Sequence, residues 1–297
     1  MNRTPCDNAN FAGADTDSMV LHRNADADER VLPPVPLSSK IAIPVIATLL
    51  LMVASDLSPA HATGGEKVSV ATTGTYRLNV TTVAGRTVTA RWNPCGKAIS
   101  YSIDSRFLHT TTPKRRTART DVRKGIRELA SATGLRFREV RRKDVVPTRK
   151  NWTSGKVDLR IVFMSPSHKN QASSFLPKNE VTGAGRYAGF TRWMSVPSRT
   201  HTGDRALRIS KAVIAISGDQ FRKYPGGYGP GPVTGDLLLH ELGHSVGLDH
   251  VNDSNEIMYG GRISNATYPI AAYQAGDLNG LSLLGRQQGC LTRHNHK

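Results

Sequence analysis

The alternation of apolar and polar residues divides the chain into segments with different predicted structures. Residues 63–90 alternate with period two around turns at Gly74 and Gly85, which predicts a short β lead-in. Apolar residues at helical spacing predict helices over 117–133 and 274–284. Alternating or continuous apolar runs predict the main strands, over 99–103, 135–140, 157–163 and 208–217.

Two stretches are rich in the residue types that favour loops. The first, 164–207, predicts a long rim of loops with one short strand at 185–191. The second, 225–235, leads into a further helix, with Thr234 as the expected N-cap and Asp236 as a favourable acid in the first turn. We therefore place one folded domain at 91–290 and a polar tail at 291–297.

The N-terminal part lacks this periodicity. Residues 1–40 are polar, acidic and interrupted by prolines, which predicts a disordered extension. An apolar run over 41–54 follows, and then Ala60-His61-Ala62, an A-x-A pattern that suits signal peptidase. We interpret 41–62 as a secretory signal that is cleaved after its last residue. The alternative is an uncleaved membrane anchor through 41–57, although this run is shorter than a span requires.

The candidate chemistry is concentrated in His240-Glu241-Leu242-Gly243-His244. On a helix, two histidines four residues apart lie on one face, so both imidazoles can reach one metal ion. Gly247 can adopt φ > 0, end the helix and turn the chain back, so that His250 arrives as a third ligand. Three protein ligands with a fourth position open to water are typical of a catalytic zinc site.

The complete run from His240 to His250 has the pattern H-E-x-x-H-x-x-G-x-x-H and resembles the zinc signature of the metzincins. Met258 stands in a Gly- and Asn-rich loop where metzincins place their Met-turn; a plain core methionine is the alternative. The segments Trp92–Cys95 and Asp277–Leu281 extend the likeness to secreted, bacterial-type matrixin proteases. This resemblance covers roughly residues 91–290.

The resemblance implies an α+β fold, a metzincin-like catalytic domain. Its parts would be a twisted, mostly parallel sheet with an antiparallel edge strand, an active-site helix, the Met-turn and a C-terminal helix. Protein or peptide substrates would pair as an extended strand along the edge strand, which we place near 185–191.

The resemblance also implies secreted zinc-dependent endopeptidase activity. One zinc ion would be held by His240, His244 and His250, and a zinc-activated water would attack the peptide bond with Glu241 as the general base. Asp277 would either hydrogen-bond the backbone of the Met-turn that carries Met258 or be an ordinary surface carboxylate.

Other metal sites receive less support from the sequence. The His- and Asp-rich loop that holds a structural zinc ion in animal matrixins has no counterpart here, so we predict none. Calcium is possible but nothing in the sequence supports it. Asp249, although it adjoins His250, is expected to cap the loop rather than bind metal.

Two of the three cysteines flank the predicted domain. An oxidising compartment favours a disulfide between Cys95 and Cys290, whereas Cys6 lies in the segment expected to be removed. The alternative is a cysteine switch in which the Cys95 thiolate caps the zinc ion.

The charge of the chain is strongly positive and uneven. The 297 residues carry a net charge of +17, but residues 1–62 contribute −3, which leaves +20 for the remainder. Such a chain favours anionic surroundings, for example anionic cell-surface polymers, but the plainer explanation, a cationic surface that only confers solubility, is preferred to a dedicated polyanion site. No nucleic-acid-binding motif is recognisable. We expect a monomer. The alternative to a protease is a non-catalytic cationic protein that binds such polymers and keeps zinc for stability.

Overall fold

The computed structural model describes residues 74–83, 86–108, 112–141, 144–148, 150–164, 188–261 and 266–293. They belong to one compact unit, Thr72–Lys297. The predicted extension and signal segment, residues 1–62, lie outside the described residues. None of the helices in the described ranges combines the length and apolar character needed to cross a bilayer.

The described residues form ten strands and four α-helices. The strands are Arg77–Leu78 (β1), Val80–Val83 (β2), Arg86–Arg91 (β3), Ile99–Asp104 (β4), Phe137–Glu139 (β5), Leu159–Met164 (β6), Gly189–Thr200 (β7), Arg205–Ser217 (β8), Leu248–Asp249 (β9) and Leu291–Arg293 (β10). The helices are Thr112–Thr133 (α1), Gly218–Phe221 (α2), Thr234–Val246 (α3) and Ala275–Leu284 (α4).

The main sheet has the strand order β10-β7-β8-β6-β4-β5. Strands β5, β4, β6 and β8 are mutually parallel, whereas β7 pairs antiparallel with β8 and β10 pairs antiparallel with β7. The hairpin β2–β3 joins this sheet because β3 also pairs in parallel with β8. The predicted α+β arrangement, a mostly parallel sheet with an antiparallel edge, is confirmed.

The sheet buries apolar side chains on both faces. In α1, Ala118, Val122, Ile126 and Leu129 are buried at spacings of three and four residues, so one stripe of the helix packs on the main core. The helix ends at Thr133, and Gly134 follows it with φ +67°. Every residue of β6 is buried, as expected for a strand in the middle of a sheet.

The region predicted as a loop rim contains β7, which extends well beyond the short strand expected at 185–191, whereas most of β8 coincides with the strand predicted at 208–217. Strands β7 and β8 pair from Gly189↔Ile216 to Arg199↔Arg205. Most residues of β7 are half-buried, and its polar residues do not alternate strictly with its apolar ones, so the local pattern did not predict the whole strand. Pro197 lies within β7, which an edge strand tolerates because it need not donate on both sides.

Two further predictions require correction. The N-cap of α3 is Val233, which offers no capping side chain, and Thr234 is the first helical residue; the Asp236 carboxylate accepts the Val233 N–H at 2.8 Å. The predicted polar tail begins with a strand, β10, because Leu291 is buried and pairs with Thr200.

The N-terminal and C-terminal ends of the domain are fastened together. Cys95 and Cys290 form a disulfide with their Cα atoms 5.3 Å apart, as the sequence analysis favoured over a cysteine switch. Asn93 exchanges two hydrogen bonds with the backbone of Leu291, at 2.8 and 3.0 Å. The Arg91 guanidinium donates to the carbonyls of Gln288 and Gly289.

Candidate metal centre

Helix α3 carries the first two histidines and ends in a turn that only glycine fits well. Gly247 has φ +115°, and a Cβ atom there would lie 2.6 Å from the Ala90 carbonyl oxygen. Both observations favour glycine, since a side chain would meet backbone strain and a clash. The predicted role of Gly247 as the helix stop is confirmed.

His250 follows the turn at Gly247 and the short strand β9. Strand β9 pairs antiparallel with β1, and the Asn79 N–H donates to the Gly247 carbonyl at 2.8 Å. The Asp249 carboxylate accepts the His250 N–H at 2.8 Å and forms an ion pair with Arg77 at 3.1 Å. Asp249 therefore caps the loop, as predicted from the sequence.

The structure brings the three histidines together at one point. The Nε2 atom of His250 lies 2.8 Å from that of His240 and 3.0 Å from that of His244, and the last two atoms are 3.1 Å apart. The Nδ1 atoms of His240 and His244 face the carbonyls of Ile257 and Leu248 at 2.8 and 2.9 Å. Because a carbonyl only accepts, each of these Nδ1 atoms carries a proton, so in the neutral imidazole each Nε2 presents a lone pair.

Converging lone pairs repel one another unless a cation lies between them, so the donor set fits a metal ion. Tetrahedral zinc, with Zn–N distances of about 2.0–2.1 Å, separates its ligand nitrogens by about 3.4 Å. The observed separations of 2.8–3.1 Å are close to this value. The two backbone carbonyls would orient the rings of a metal-bound pair in the usual way.

Met258 packs directly against α3 at Gly243. Its side chain is 1% exposed, and a Cβ atom on Gly243 would lie 2.5 Å from its sulfur. Gly243 stands between the two helical histidines, so the lack of a side chain there lets the Met258 loop approach. The Val251 N–H donates to the Met258 carbonyl at 2.9 Å, which ties this loop to the residue after His250.

Two buried carboxylates, those of Asp277 and Glu256, form hydrogen bonds that fix the same loop. The Asp277 carboxylate accepts the N–H groups of Ile257 and Met258 at 2.7 and 3.1 Å, together with that of Gln274 at 3.0 Å. The Glu256 carboxylate accepts the N–H groups of Gly276 and Asp277, both at 2.9 Å. Asp277 therefore bonds the Met258 loop, the first of the two roles predicted for it.

Glu241 is buried between α3 and the edge strand β7. The Thr191 hydroxyl lies 2.6 Å from its Oε2 atom, and a Cβ atom on Gly189 would lie 2.2 Å from Oε1. Burial raises the pKa of Glu241 from 4.5 to about 7, and the Thr191 hydrogen bond partly opposes this shift. A carboxyl group with a pKa near neutrality can both accept and return a proton.

Sequence reasoning missed Gly189, Thr191 and Glu256 as parts of this site. Glu256 directly precedes Ile257-Met258, so its acidic side chain next to an apolar pair was an available signal. Gly189 and Thr191 carry no motif and lie about fifty residues before Glu241, so only the fold brings them to it.

Comparison with known proteins adds an independent result. The family model for matrixin matches residues 91–282, which is more than half of the chain. The match includes both helical histidines, His250, Met258 and Asp277. A search of curated proteins finds none that matches. The chain therefore belongs to the matrixin family of zinc-dependent metalloendopeptidases.

Proposed function

We propose that the protein is a secreted endopeptidase in which His240, His244 and His250 hold the catalytic zinc ion and Glu241 is the general base. The observation that carries this proposal is the convergence of the three Nε2 atoms within 3.1 Å of one another. The carboxylate of Glu241, on the same helix, supplies the base that a structural metal site would not need.

His240, His244 and His250 would hold the zinc ion, which would lower the pKa of a bound water to about 7 and polarise a carbonyl oxygen. Glu241 accepts the proton that the attacking water loses as its oxygen adds to the peptide carbon. When the C–N bond breaks, Glu241 returns this proton to the leaving amine. Thr191 acts as a positioning residue, because its hydroxyl holds the carboxylate of Glu241.

The edge of β7 supports binding of the substrate as an extended strand. One side of β7 pairs with β8, and β10 covers the other side only at Ser198–Thr200. Among the described strands, none pairs with the outer edge of residues 189–197. This edge begins at Gly189 and Thr191, which contact Glu241, so a peptide added there passes the proposed base.

Two features of the chain support secretion. The predicted signal segment ends in Ala60-His61-Ala62, and the Cys95–Cys290 disulfide suits an oxidising compartment. N-terminal sequencing of the protein from culture medium should give Thr63 as the first residue. A cell-bound product that retains residues 1–62 would instead support the membrane anchor.

The decisive experiment combines metal analysis with peptide cleavage. The protein should contain one zinc ion and cleave casein, and 1,10-phenanthroline should abolish cleavage. His244→Ala should lose both zinc and activity. If the folded, zinc-loaded parent cleaves no protein or peptide, the non-catalytic cationic protein becomes the better description.

A further inference from the structure

The first described residues of the domain, 74–79, form a segment that we call the N-terminal arm. The arm contains β1 and lies before residue 91, where the match to the matrixin family begins. Neither the zinc signature nor the proposed mechanism gives this segment a role. Its contacts nevertheless lead directly to the histidines of the metal centre.

The arm pairs with β9, the short strand that precedes His250. The two strands are antiparallel, with residues 77 and 78 opposite residues 249 and 248. The Asn79 N–H donates to the carbonyl of Gly247 at 2.8 Å. All of the backbone between the end of α3 and His250, residues 247–249, therefore has partners on the arm.

Two of the three histidines depend on the position of β9. The Asp249 carboxylate, which accepts the His250 N–H at 2.8 Å, forms an ion pair with Arg77 of the arm at 3.1 Å. The Leu248 carbonyl lies 2.9 Å from the Nδ1 atom of His244. A shift of β9 would therefore move one ligand and break the hydrogen bond that orients another.

The start of the arm packs against α4 at two glycines. A Cβ atom on Gly276 would lie 2.1 Å from the Thr75 carbonyl oxygen, and one on Gly280 would lie 3.1 Å from the Cβ atom of Tyr76. The Thr75 hydroxyl donates to the Asp253 carboxylate at 3.2 Å. The arm is therefore fixed by α4 and by the loop that follows β9, so it can hold β9 against a rigid support.

We infer that the N-terminal arm is a positioning element of the metal centre, which holds β9 and thereby sets the places of His250 and His244 around the ion. The inference rests on the proposed zinc site and adds to it a segment outside the family match. The alternative is an arm that contributes only to general stability. The two roles differ in their effect on zinc affinity, because only a positioning element changes how well the folded protein holds the ion.

The variant Asn79→Pro of the full chain tests the inference most directly. It removes the N–H that donates to Gly247, and the proline ring takes the space of this hydrogen bond. The dissociation constant for zinc, measured on the folded protein by competition with a chelator, should rise by about 10–100-fold, as for the loss of a group that orients a metal ligand. Gly74→Ala acts at the other end of the arm and should weaken zinc binding too, because its Cβ atom would lie 2.2 Å from the Gly276 nitrogen.

A control of similar stability separates positioning from general destabilisation. Ile161→Val removes a buried methyl group from β6, which pairs with β4 and β8 in the main sheet. It should lower the resistance of the zinc-free protein to urea but leave the zinc dissociation constant within about twofold of the parental value. Urea unfolding of each zinc-free variant is measured alongside, so that zinc affinities are compared at matched stability.

Arg77 offers a milder test, because its side chain is 71% exposed and its replacement leaves the fold intact. Arg77→Ala should weaken zinc binding by no more than about fivefold, as expected for a surface ion pair, and Arg77→Lys should restore most of the affinity. Arg86→Ala is the charge-matched control. Arg86 is exposed and pairs with Val83 in the neighbouring hairpin, so this variant should bind zinc as the parent does.

The possible results distinguish this inference from the proposed function. Parental zinc affinity in Asn79→Pro would overturn the inference and leave the zinc site standing. If this variant does not fold, parental affinity in both Gly74→Ala and Arg77→Ala would overturn it instead. A parent that holds no zinc would overturn the metal centre and the inference together. A parent that binds zinc but cleaves no peptide would overturn only the proposed protease, because the affinity measurements need no turnover.

Discussion

Glu241 and Asp277 are both buried, with 5% and 1% of their surfaces exposed, yet their hydrogen-bond partners differ. Asp277 accepts three backbone N–H groups, from Gln274, Ile257 and Met258. The Glu241 carboxylate accepts from the Thr191 hydroxyl and adjoins Gly189. A carboxylate saturated by backbone donors fixes a loop, whereas one held by a single hydroxyl stays available for proton transfer.

The largest effect on turnover should follow from replacing Glu241. Glu241→Gln keeps the shape of the side chain and its hydrogen bond from Thr191 but removes the base. Turnover should fall by about 10²–10⁴-fold, while zinc content and the free energy of unfolding stay near the parental values. Near-parental turnover by a zinc-loaded variant would show that Glu241 is not the base. Glu241 and Asp277 would then not differ in their role in proton transfer.

Changing Asp277 should affect stability first. Asp277→Ala leaves three buried N–H groups without their acceptor, so the free energy of unfolding should decrease by about 3 kcal/mol or more. Asp277→Asn retains one acceptor oxygen and should cost less. Urea unfolding measures both, and an Asp277→Ala variant as stable as the parent would contradict the assigned scaffold role.

The same residue should give the stability a dependence on pH. Burial, reinforced by the neighbouring Glu256, raises the pKa of Asp277 from 3.8 to about 7, so the folded protein holds this proton more tightly than the unfolded chain. The stabilisation is complete below about pH 4 and is lost as the pH rises through about 7. Asp277→Asn should remove this part of the slope, which unfolding measurements across that range would reveal.

A smaller effect is expected from Thr191, which orients rather than reacts. Thr191→Val keeps the shape but removes the hydrogen bond to Glu241, so kcat should fall by about tenfold or somewhat more with little change in KM. Thr191→Ser keeps the hydroxyl and should restore most of the turnover. Equal losses in both variants would indicate a packing role for the methyl group instead.

The contrast between these residues also explains what the sequence could predict. The spacing of His240, His244 and His250 is a property of one helix and one glycine turn, so the chain alone was sufficient to find it. The contact of Thr191 with Glu241 depends on how β7 lies against α3, which no local pattern encodes. Likewise the sheet core was predictable from apolar runs, whereas only the start of β7 was, since polar and apolar residues do not alternate strictly along the rest of this strand.

The smallest effect is expected at a half-buried carboxylate, which offers a reference for the two buried ones. Glu139 on β5 accepts two hydrogen bonds from Arg123 on α1, and these bonds lower its pKa below the usual 4.5. A lowered pKa means that the stabilisation is present above about pH 4.5 and is lost as the pH falls through the folded-state value. Because both side chains are partly exposed, Glu139→Gln should cost only about 0.5–1 kcal/mol at pH 7 and almost nothing near pH 3. Urea unfolding at the two pH values tests this. A loss at pH 7 as large as that of Asp277→Ala would mean that exposure does not separate the scaffold carboxylates from the surface ones.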